Sequence, residues 1–375
     1  MPADRAEPAE PRVPATSRRR APGAGGVAPV SWRAGVHITG TRLWCDAPRA
    51  HDLCFVSSGT SAAAGASGRR RGSGMLLCTE GTYRLLRALR GEEPRAEPGE
   101  PVLLSPVGRP FNYGSLRLEL FPSGQGPGAA ALWIKLPSGR QVVYAGAPRA
   151  ESDPRAEPMQ VRGADTLVIA ARAHVAELPP RGQALLHLRA ALERSLAQPG
   201  STLLVGAPLL LAELWPEIGA LLAAGQGAAA HPLVHRALAA TQRCGLLPES
   251  LPLPRRLGWA RPLGALGLWP LGTGLPPAER LGGGPVRLLV VDGEAAERGA
   301  ELSAALPPGL ELAAALPFPD GLDATQLSTY ARDCEARRVY LTAGYTPALA
   351  ESLARHRIEA APLGPPRQLA LFGAA

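Results

Sequence analysis

The stretch that decides the fold covers residues 55–65 and reads FVSSGTSAAAG. A short apolar segment, residues 53–56, leads into it and is typical of a buried strand. The strand then breaks into small residues, none of which carries an imidazole, a thiol or a carboxylate. Such a run fits either a plain turn or a loop that occupies the position of a functional site without its chemistry. The flanking segments distinguish these two interpretations.

Short strands joined by tight turns surround this loop. Apolar residues in GVHITGTRLWCDAP (35–48) predict strands, and GMLLCTEGTYRLLRALRG (74–91) predicts a strand that leads into an amphipathic helix. The segment ALWIKLPSGRQVVYAG (131–146) predicts a hairpin whose turn is Pro137-Ser138-Gly139. The first half of the chain is therefore expected to be rich in strands.

Strands and helices alternate in the second half, apart from residues 245–285, where Pro and Gly predict irregular loops. This alternation predicts a layered α/β protein in which helices cover the faces of sheets. The expected elements are a helix over 183–197, a strand over 201–208, a helix over 209–225, a strand over 286–293, a helix near 323–338, a strand over 339–344, a helix over 346–357 and a last strand over 358–364.

The net charge favours an anionic partner. The chain has 375 residues, a formal net charge of +8 and an isoelectric point near 9.8. Lys135 is the only lysine, so arginine carries the excess of 40 basic over 32 acidic residues. Nucleic acid is the expected class of partner, while a genome rich in G and C explains the same excess without one. Charge alone leaves both explanations open.

Cysteine usage and hydropathy predict a cytoplasmic protein. The five cysteines form no CxxC pair, which is typical of reduced thiols that pack as small apolar groups. No signal-peptide segment and no run of about 18 uncharged apolar residues is found, so no membrane partner is expected. Residues 1–29 are rich in Pro, Ala and Arg and predict a disordered tail. Residues 18–20, all arginine, fit either a phosphate contact or a solubilising tail.

Four segments resemble, in order, the metallo-β-lactamase-fold nucleases that carry a β-CASP insertion, and most closely the bacterial ligase-associated DNA exonucleases. Residues 35–65 resemble the family's opening, where two strands and an aspartate lead to an H-x-H-x-D-H loop. Residues 119–149 resemble its P-x-G-H and Y-x-G-D segment. Residues 191–218 resemble a strand and helix of the insertion, and residues 337–364 resemble the closing V-x-x-T-H-G strand and its helix.

The resemblance implies both a fold and a division of the chain. The expected fold is α/β, a metallo-β-lactamase-like αββα sandwich with an inserted β-CASP-type α/β domain. The expected parts are the disordered tail over 1–29, the first part of the sandwich over 30–178, the insertion over 179–285, the closing part over 286–364 and a flexible tail over 365–375.

The chemistry departs from the family at every position where the resemblance places a metal ligand. Two divalent cations need imidazole nitrogens and carboxylate oxygens around them, and alanine offers no lone pair. Asp46 matches an aspartate that is mainly structural in the family. We therefore predict a degenerate loop with no metal, no cofactor and no catalytic residue. The replaced positions are Ser58, Thr60, Ala62, Ala63, Gln125, Ala147 and Ala343.

Two alternatives to the degenerate site remain open. The loop fits a generic turn if the resemblance is accidental. A new metal site is also conceivable, because His231 and His235 are four residues apart and lie on one face if the segment is helical. No carboxylate accompanies this histidine pair nearby, and such pairs are commonly surface or packing residues.

The C-terminal residues QLALF (368–372) resemble the pentapeptide that binds the bacterial sliding clamp. In this interpretation Gln368 hydrogen-bonds at the rim of a pocket, Leu371 and Phe372 fill an apolar cleft, and Leu369 adds a contact. The alternative is a last strand or core anchor.

These observations predict an inactive relative of the exonucleases that serves as an accessory in DNA repair or replication. Its expected partners are DNA and the sliding clamp, with DNA ligase, a helicase or an active paralogue as further partners. Arg69, Arg70 and Arg71 are candidates for phosphate contacts and also fit a solvated loop. The alternatives are an active metal-dependent exonuclease or hydrolase with another site, and a structural partner of an active paralogue.

Overall fold

The computed structural model describes residues 28–49, 51–60, 74–95, 100–172, 177–222, 226–258, 263–281 and 284–365. Within them lie seven α-helices and nineteen strands, so the expected mixed α/β class is confirmed. The helices are α1 (Glu80–Arg90), α2 (Arg181–Leu196), α3 (Pro208–Gly219), α4 (Pro232–Arg243), α5 (Ala295–Ala304), α6 (Ala324–Asp333) and α7 (Pro347–Arg355). The predictions for residues 1–27 and 366–375 lie outside the described part.

The first sheet has six strands that are neighbours in chain order. They are β1 (Val30–Trp32), β2 (Val36–Ile38), β3 (Leu43–Cys45), β4 (Leu53–Phe55), β5 (Met75–Cys78) and β6 (Val102–Leu104). The first three run antiparallel, and β3 to β6 run parallel. Of the three parallel pairs, β5 and β6 are joined by a crossover that contains α1.

The second sheet has seven strands, and its order departs from the chain order. They are β7 (Phe111–Tyr113), β8 (Leu116–Pro122), β9 (Ala130–Lys135), β10 (Gln141–Gly146), β11 (Thr166–Ala170), β18 (Arg338–Ala343) and β19 (Glu359–Pro362). The order is β19-β18-β11-β10-β9-β8-β7. The hairpin expected over 131–146 is confirmed as the antiparallel pair β9 and β10, with Gly139 in the left-handed region at φ 82°.

The first and second sheets pack face to face and form a first unit of four layers. One apolar core lies between the sheets and includes Phe55 and Leu118. The outer face of the first sheet packs on α1 through residues such as Tyr83. The outer face of the second sheet packs on α6 and α7 through residues such as Tyr330 and Leu353. Helices thus cover both outer faces of the paired sheets.

The third sheet is entirely parallel and forms a second unit. Its strands are β12 (Ser201–Gly206), β13 (Ala228–Ala230), β14 (Arg255–Arg256), β15 (Leu266–Pro270), β16 (Val286–Asp292) and β17 (Leu310–Pro317), in the order β14-β13-β15-β12-β16-β17. Helices α2, α3 and α4 cover one face. Residues of α5 and of the 3₁₀ turn Ala278–Leu281 cover the other. In the sequence the second unit lies between β11 and β18, which are neighbouring strands of the second sheet.

Two expectations for this unit are wrong. Residues 245–285 are not wholly irregular, because β15 lies inside them and is buried along its length. Gly267 weakened the strand signal, yet a Cβ there would come within 2.5 Å of Leu263 Cδ1. The boundary at residue 285 is also misplaced, since β16 and β17 belong to the third sheet. The second unit therefore extends to Pro317.

The cysteines are free and mostly buried, as the sequence predicts. All five cysteines are free thiols, and four of them are buried. Burial raises the pKa of Cys45 and of Cys334, the latter to about 12, so these thiols stay protonated at neutral pH. No helix in the described residues has the length and apolar character that crossing a membrane requires.

Candidate functional site

The candidate site lies where three parallel strands of the second sheet end. Strands β10, β11 and β18 run in the same direction, so their carboxyl ends meet at one edge. Gly146 pairs with Ile169, and Ala170 pairs with Ala343. Ala147 follows Gly146 directly, so two of the predicted positions, Ala147 and Ala343, lie at this edge. The carboxyl edge of parallel strands is where α/β proteins commonly bind ligands.

The loop after β4 closes against the same edge. The Ala130 amide donates a hydrogen bond to the Ser57 carbonyl at 2.8 Å, which ties the loop to β9. Gly146 has a φ of 64°, and a Cβ at this position would lie 2.8 Å from Ser57 Oγ. Only glycine satisfies both the left-handed backbone and the close approach. The loop after β4 and the end of β10 are therefore in direct contact.

Asp46 holds this loop in place through hydrogen bonds. Its carboxylate accepts hydrogen bonds from the Ser57 amide at 2.9 Å, from Ser57 Oγ at 2.5 Å and from the Tyr144 hydroxyl at 2.8 Å. Burial raises the pKa of Tyr144, and the charge of Asp46 raises it further. The phenol therefore stays protonated and donates a hydrogen bond to Asp46. The structural role implied for Asp46 agrees with these bonds.

Replacement of Asp46 by alanine is expected to destabilise the protein by about 2–4 kcal/mol, because three donors lose a charged acceptor. Urea unfolding of the variant beside the parent measures this loss. D46N should lose less, since asparagine keeps one acceptor and tolerates the φ of 47° at this position. D52A is the matched control, because the Asp52 side chain is 60% exposed in its pair with Arg42 and should change stability by about 0.5 kcal/mol or less. An equal loss in D46A and D52A would contradict the supporting role.

Three of the predicted positions form a chain of neutral hydrogen bonds. The Gln125 amide Nε2 donates to Thr60 Oγ1 at 2.9 Å, and Thr60 Oγ1 lies 2.9 Å from Ser58 Oγ. The Thr60 amide also donates to Ser58 Oγ at 3.3 Å. Ser58 is buried, with 4% of its surface exposed. The side chains satisfy one another and present no charge or imidazole nitrogen to a cation.

Some of the predicted positions lie outside the described part of the chain, and the histidine pair has another role. Ala62, Ala63 and the arginines 69–71 lie outside the described residues. The histidine pair does not form a metal site: His231 caps α4 by accepting from the Leu233 amide at 3.2 Å, and its ring meets the Trp269 ring edge-on at 4.6 Å. Burial lowers the pKa of both His231 and His235. Nowhere in the described ranges do three His, Cys, Asp or Glu side chains group as they would around a metal ion.

The sequence did not reveal a buried ionic cluster beside the site. Arg149, two residues after Ala147, pairs with Glu213 of α3 through hydrogen bonds of 2.8 and 3.0 Å. Arg181, at the start of α2, also pairs with Glu213. The Arg149 amide donates to the Ser123 carbonyl at 3.0 Å, two residues before Gln125. This cluster joins the loop of the candidate site to the second unit. No local pattern signals it, because Arg149 and Glu213 are 64 residues apart.

Comparison with known proteins finds similarity among solved structures. No protein-family model and no curated protein match the chain. A crystal structure of a protein of unknown function from Enterococcus faecalis is similar, with 13% sequence identity and a TM-score of 0.44. The similarity covers 77% of this chain and 74% of that chain. At this level it carries no functional information.

Proposed function

We propose that this protein is a non-catalytic member of the metallo-β-lactamase-fold nucleases with a β-CASP insertion, and that it binds DNA as an accessory in repair or replication. Two features of the fold support the family. The first unit has helices outside two facing sheets, which matches the αββα sandwich of the resemblance. The second unit, a parallel α/β sheet, interrupts the chain between the adjacent strands β11 and β18. That is the arrangement expected for an inserted domain.

The single observation that carries the loss of catalysis is the neutral chain of Ser58, Thr60 and Gln125. In the proposed family these positions would hold imidazoles around two cations. A hydroxyl and an amide are weak, uncharged ligands, and Ala147 offers no carboxylate to bridge two like charges. These side chains hydrogen-bond with one another. The proposed consequence is a site that lacks the means to activate water.

Metal content and nuclease activity test this proposal directly. We expect the purified protein to contain well under one equivalent of Zn²⁺ or Mn²⁺, and added metal to give no cleavage of single- or double-stranded DNA. Restoring the ligands in S58H/T60H/A62D/A63H/Q125H/A147D/A343H tests the same positions from the other direction, and metal uptake by that variant would support their assignment. Stoichiometric metal in the parent together with metal-dependent cleavage would establish the alternative, an active hydrolase.

DNA binding should depend steeply on salt, because arginine–phosphate contacts release counterions. We expect R69A/R70A/R71A to weaken binding and to lower the slope of log K against log salt by about 2–3, near 0.9 for each lost contact. The matched control R117A/R332A/R355A removes the same charge from three exposed arginines. Equal effects of both variants would mean that Arg69, Arg70 and Arg71 contribute to binding only through the net charge of the protein. Negligible DNA binding by the parent would contradict the proposal and favour a structural partner of an active paralogue.

The C-terminal residues QLALF supply the second part of the proposal, an attachment to the bacterial sliding clamp. A weak tail of this kind raises the local concentration of the protein at DNA without new contacts in the groove. The last described strand, β19, ends at Pro362, six residues before Gln368. The motif therefore follows the folded core at a short distance along the chain.

A further inference from the structure

Charge is unevenly distributed across the third sheet. Residues 286–317, which form β16, α5 and β17 at one side of the sheet, contain five acidic residues and two arginines. Residues 218–278, which form β13, α4, β14 and β15 at the other side, contain five arginines and one acidic residue, Glu249. The two sides of the second unit therefore carry opposite charge, and the positive side is that of β13 and β14.

Helix α4 carries this positive charge to the boundary with the first unit. It packs on α1 through an apolar cluster that includes Leu85 and Ala240. Arg243, the last residue of α4, also donates a hydrogen bond to the Ala88 carbonyl of α1. The helix has no acidic residue. Arg236 lies seven positions before Arg243, which places both on one face of α4, about 10 Å apart along its axis.

Two more arginines lie beside α4, one toward each unit. Burial raises the pKa of the Cys244 thiol, and the positive charges of Arg84 and Arg243 oppose that shift, so both guanidinium groups lie near this thiol. Burial lowers the pKa of His235, and the charge of Arg256 lowers it further, which places Arg256 near α4. Arginines of α1, α4 and β14 thus follow one another across the boundary between the units.

These arginines are available to an anionic partner. Arg236, Arg243 and Arg256 are exposed, and Arg84 is half-buried. None of the four forms an ion pair with a described residue. The nearest carboxylates in sequence are Glu80, four residues before Arg84, and Glu249, and neither pairs with them in the described ranges. Exposed guanidinium groups without a carboxylate can bind phosphate oxygens in a bidentate manner.

The arginine surface adjoins the loop of the candidate site. Gly59 stands between Ser58 and Thr60, and a Cβ at this position would lie 2.7 Å from Leu85 Cδ2. Leu85 directly follows Arg84 on α1. A polyanion in contact with this loop therefore meets Arg84 next, and the arginines of α4 and β14 after it.

We propose that Arg84, Arg236, Arg243 and Arg256 form a binding surface for the phosphate backbone of DNA, and that this surface bridges the two units beside the candidate site. The inference rests on the proposed function and assigns residues to it. Guanidinium–phosphate contacts position a nucleic acid and read no base sequence. The spacing of about 10 Å between Arg236 and Arg243 corresponds to about three phosphate steps of one strand, each 3.4 Å along the duplex axis.

The salt dependence of DNA binding by the full chain tests this surface. R84Q/R236Q/R256Q removes three of the four charges and leaves Arg243, which is hydrogen-bonded to α1. We expect the slope of log K against log salt to fall by about 2–3, near 0.9 for each lost phosphate contact.

The matched control R117Q/R332Q/R355Q removes the same charge from exposed arginines of β8, α6 and α7. It should change the slope by less than about 1. An equal fall in both variants would overturn the surface, because net charge alone would then account for the effect. An unchanged slope in the surface variant would also overturn it and would leave DNA binding by the parent standing. Absence of DNA binding by the parent would contradict the proposed function itself, and this inference with it.

Chemical footprinting of the parent supplies a second measurement if the surface variant does not fold. Phenylglyoxal modifies exposed arginines, and mass spectrometry reads each position separately. With duplex DNA at about ten times its Kd, we expect modification of Arg236, Arg243 and Arg256 to slow about tenfold, because about a tenth of the protein is then unbound. Arg117 and Arg355 should react at the same rate with and without DNA. Equal rates at all five positions would overturn the surface.

Discussion

Replacement of Glu213 by alanine is expected to lower the free energy of unfolding by about 3–5 kcal/mol, because two guanidinium groups are then left inside the protein without a partner. The side chains of Arg149 and Glu213 are only 2% and 5% exposed. The Phe318 ring lies against both arginines, with ring-centroid distances of 5.5 Å to Arg149 and 5.4 Å to Arg181. The Arg181 side chain is 15% exposed, so Arg149 is the cation that burial isolates more strongly. The midpoint of urea unfolding, with its slope unchanged, measures the loss.

Two further variants make this expectation specific. E193A removes an exposed glutamate from the pair with Arg189 and should change stability by about 0.5 kcal/mol or less. R149M/R181M/E213L replaces the whole cluster with apolar side chains and should recover most of the stability lost in E213A, since no buried charge is left. A loss below about 1 kcal/mol in E213A would mean that water reaches the two arginines. A triple variant as unstable as E213A would mean that lost packing, and not unpaired charge, causes the loss of stability.

Replacement of Gln368, Leu371 and Phe372 together by alanine is expected to weaken binding to a bacterial sliding clamp by more than about 100-fold. Each apolar anchor of such a motif contributes about 2 kcal/mol or more when it fills a pocket, and every 1.4 kcal/mol is a factor of ten. Binding of the intact chain and of the variant to immobilised clamp measures the difference. P366A/R367A changes the neighbouring residues outside the motif and is the matched control.

The same variant distinguishes a binding tail from a core anchor. If the motif contacts only the clamp, the triple alanine variant unfolds at the same urea concentration as the parent. If Leu371 and Phe372 instead belong to the core, each truncation costs about 2–5 kcal/mol and the midpoint falls sharply. Equal clamp affinity of parent and variant would remove the tether from the proposed function and leave the DNA-binding part to be judged on its own test.

Local patterns were sufficient for most elements of the first unit. The hairpin over 131–146 was predictable because alternating apolar residues flank a Pro-Ser-Gly turn, and both signals come from adjacent residues. Strand β15 was not predictable, because its glycine and proline are typical of a loop. In the structure Gly267 packs tightly against Leu203 and Leu263. The extent of the second unit was missed for a related reason: membership of a sheet depends on which strand lies alongside, and a strand's own sequence does not state its neighbour.

The candidate site was also only partly predictable from the sequence. The lack of charged groups and imidazoles at these positions could be predicted from the sequence, because serine, threonine, glutamine and alanine keep the same donors and acceptors in any fold. That Ser58, Thr60 and Gln125 satisfy one another required the structure, because Gln125 lies 65 residues from Thr60. The ion pair of Arg149 was likewise invisible, because its partner Glu213 is 64 residues away.

The sequence by itself determined what this protein's side chains are able to do: a loop of small neutral residues, an arginine-rich charge excess and an apolar motif near the end of the chain. Only the tertiary structure decided which of them meet. Strand order, the insertion between β11 and β18 and the burial of Glu213 and Asp320 all arise from contacts between distant segments. The physical reason is that periodicity and turn chemistry act over a few residues, whereas burial and charge pairing depend on the whole folded chain.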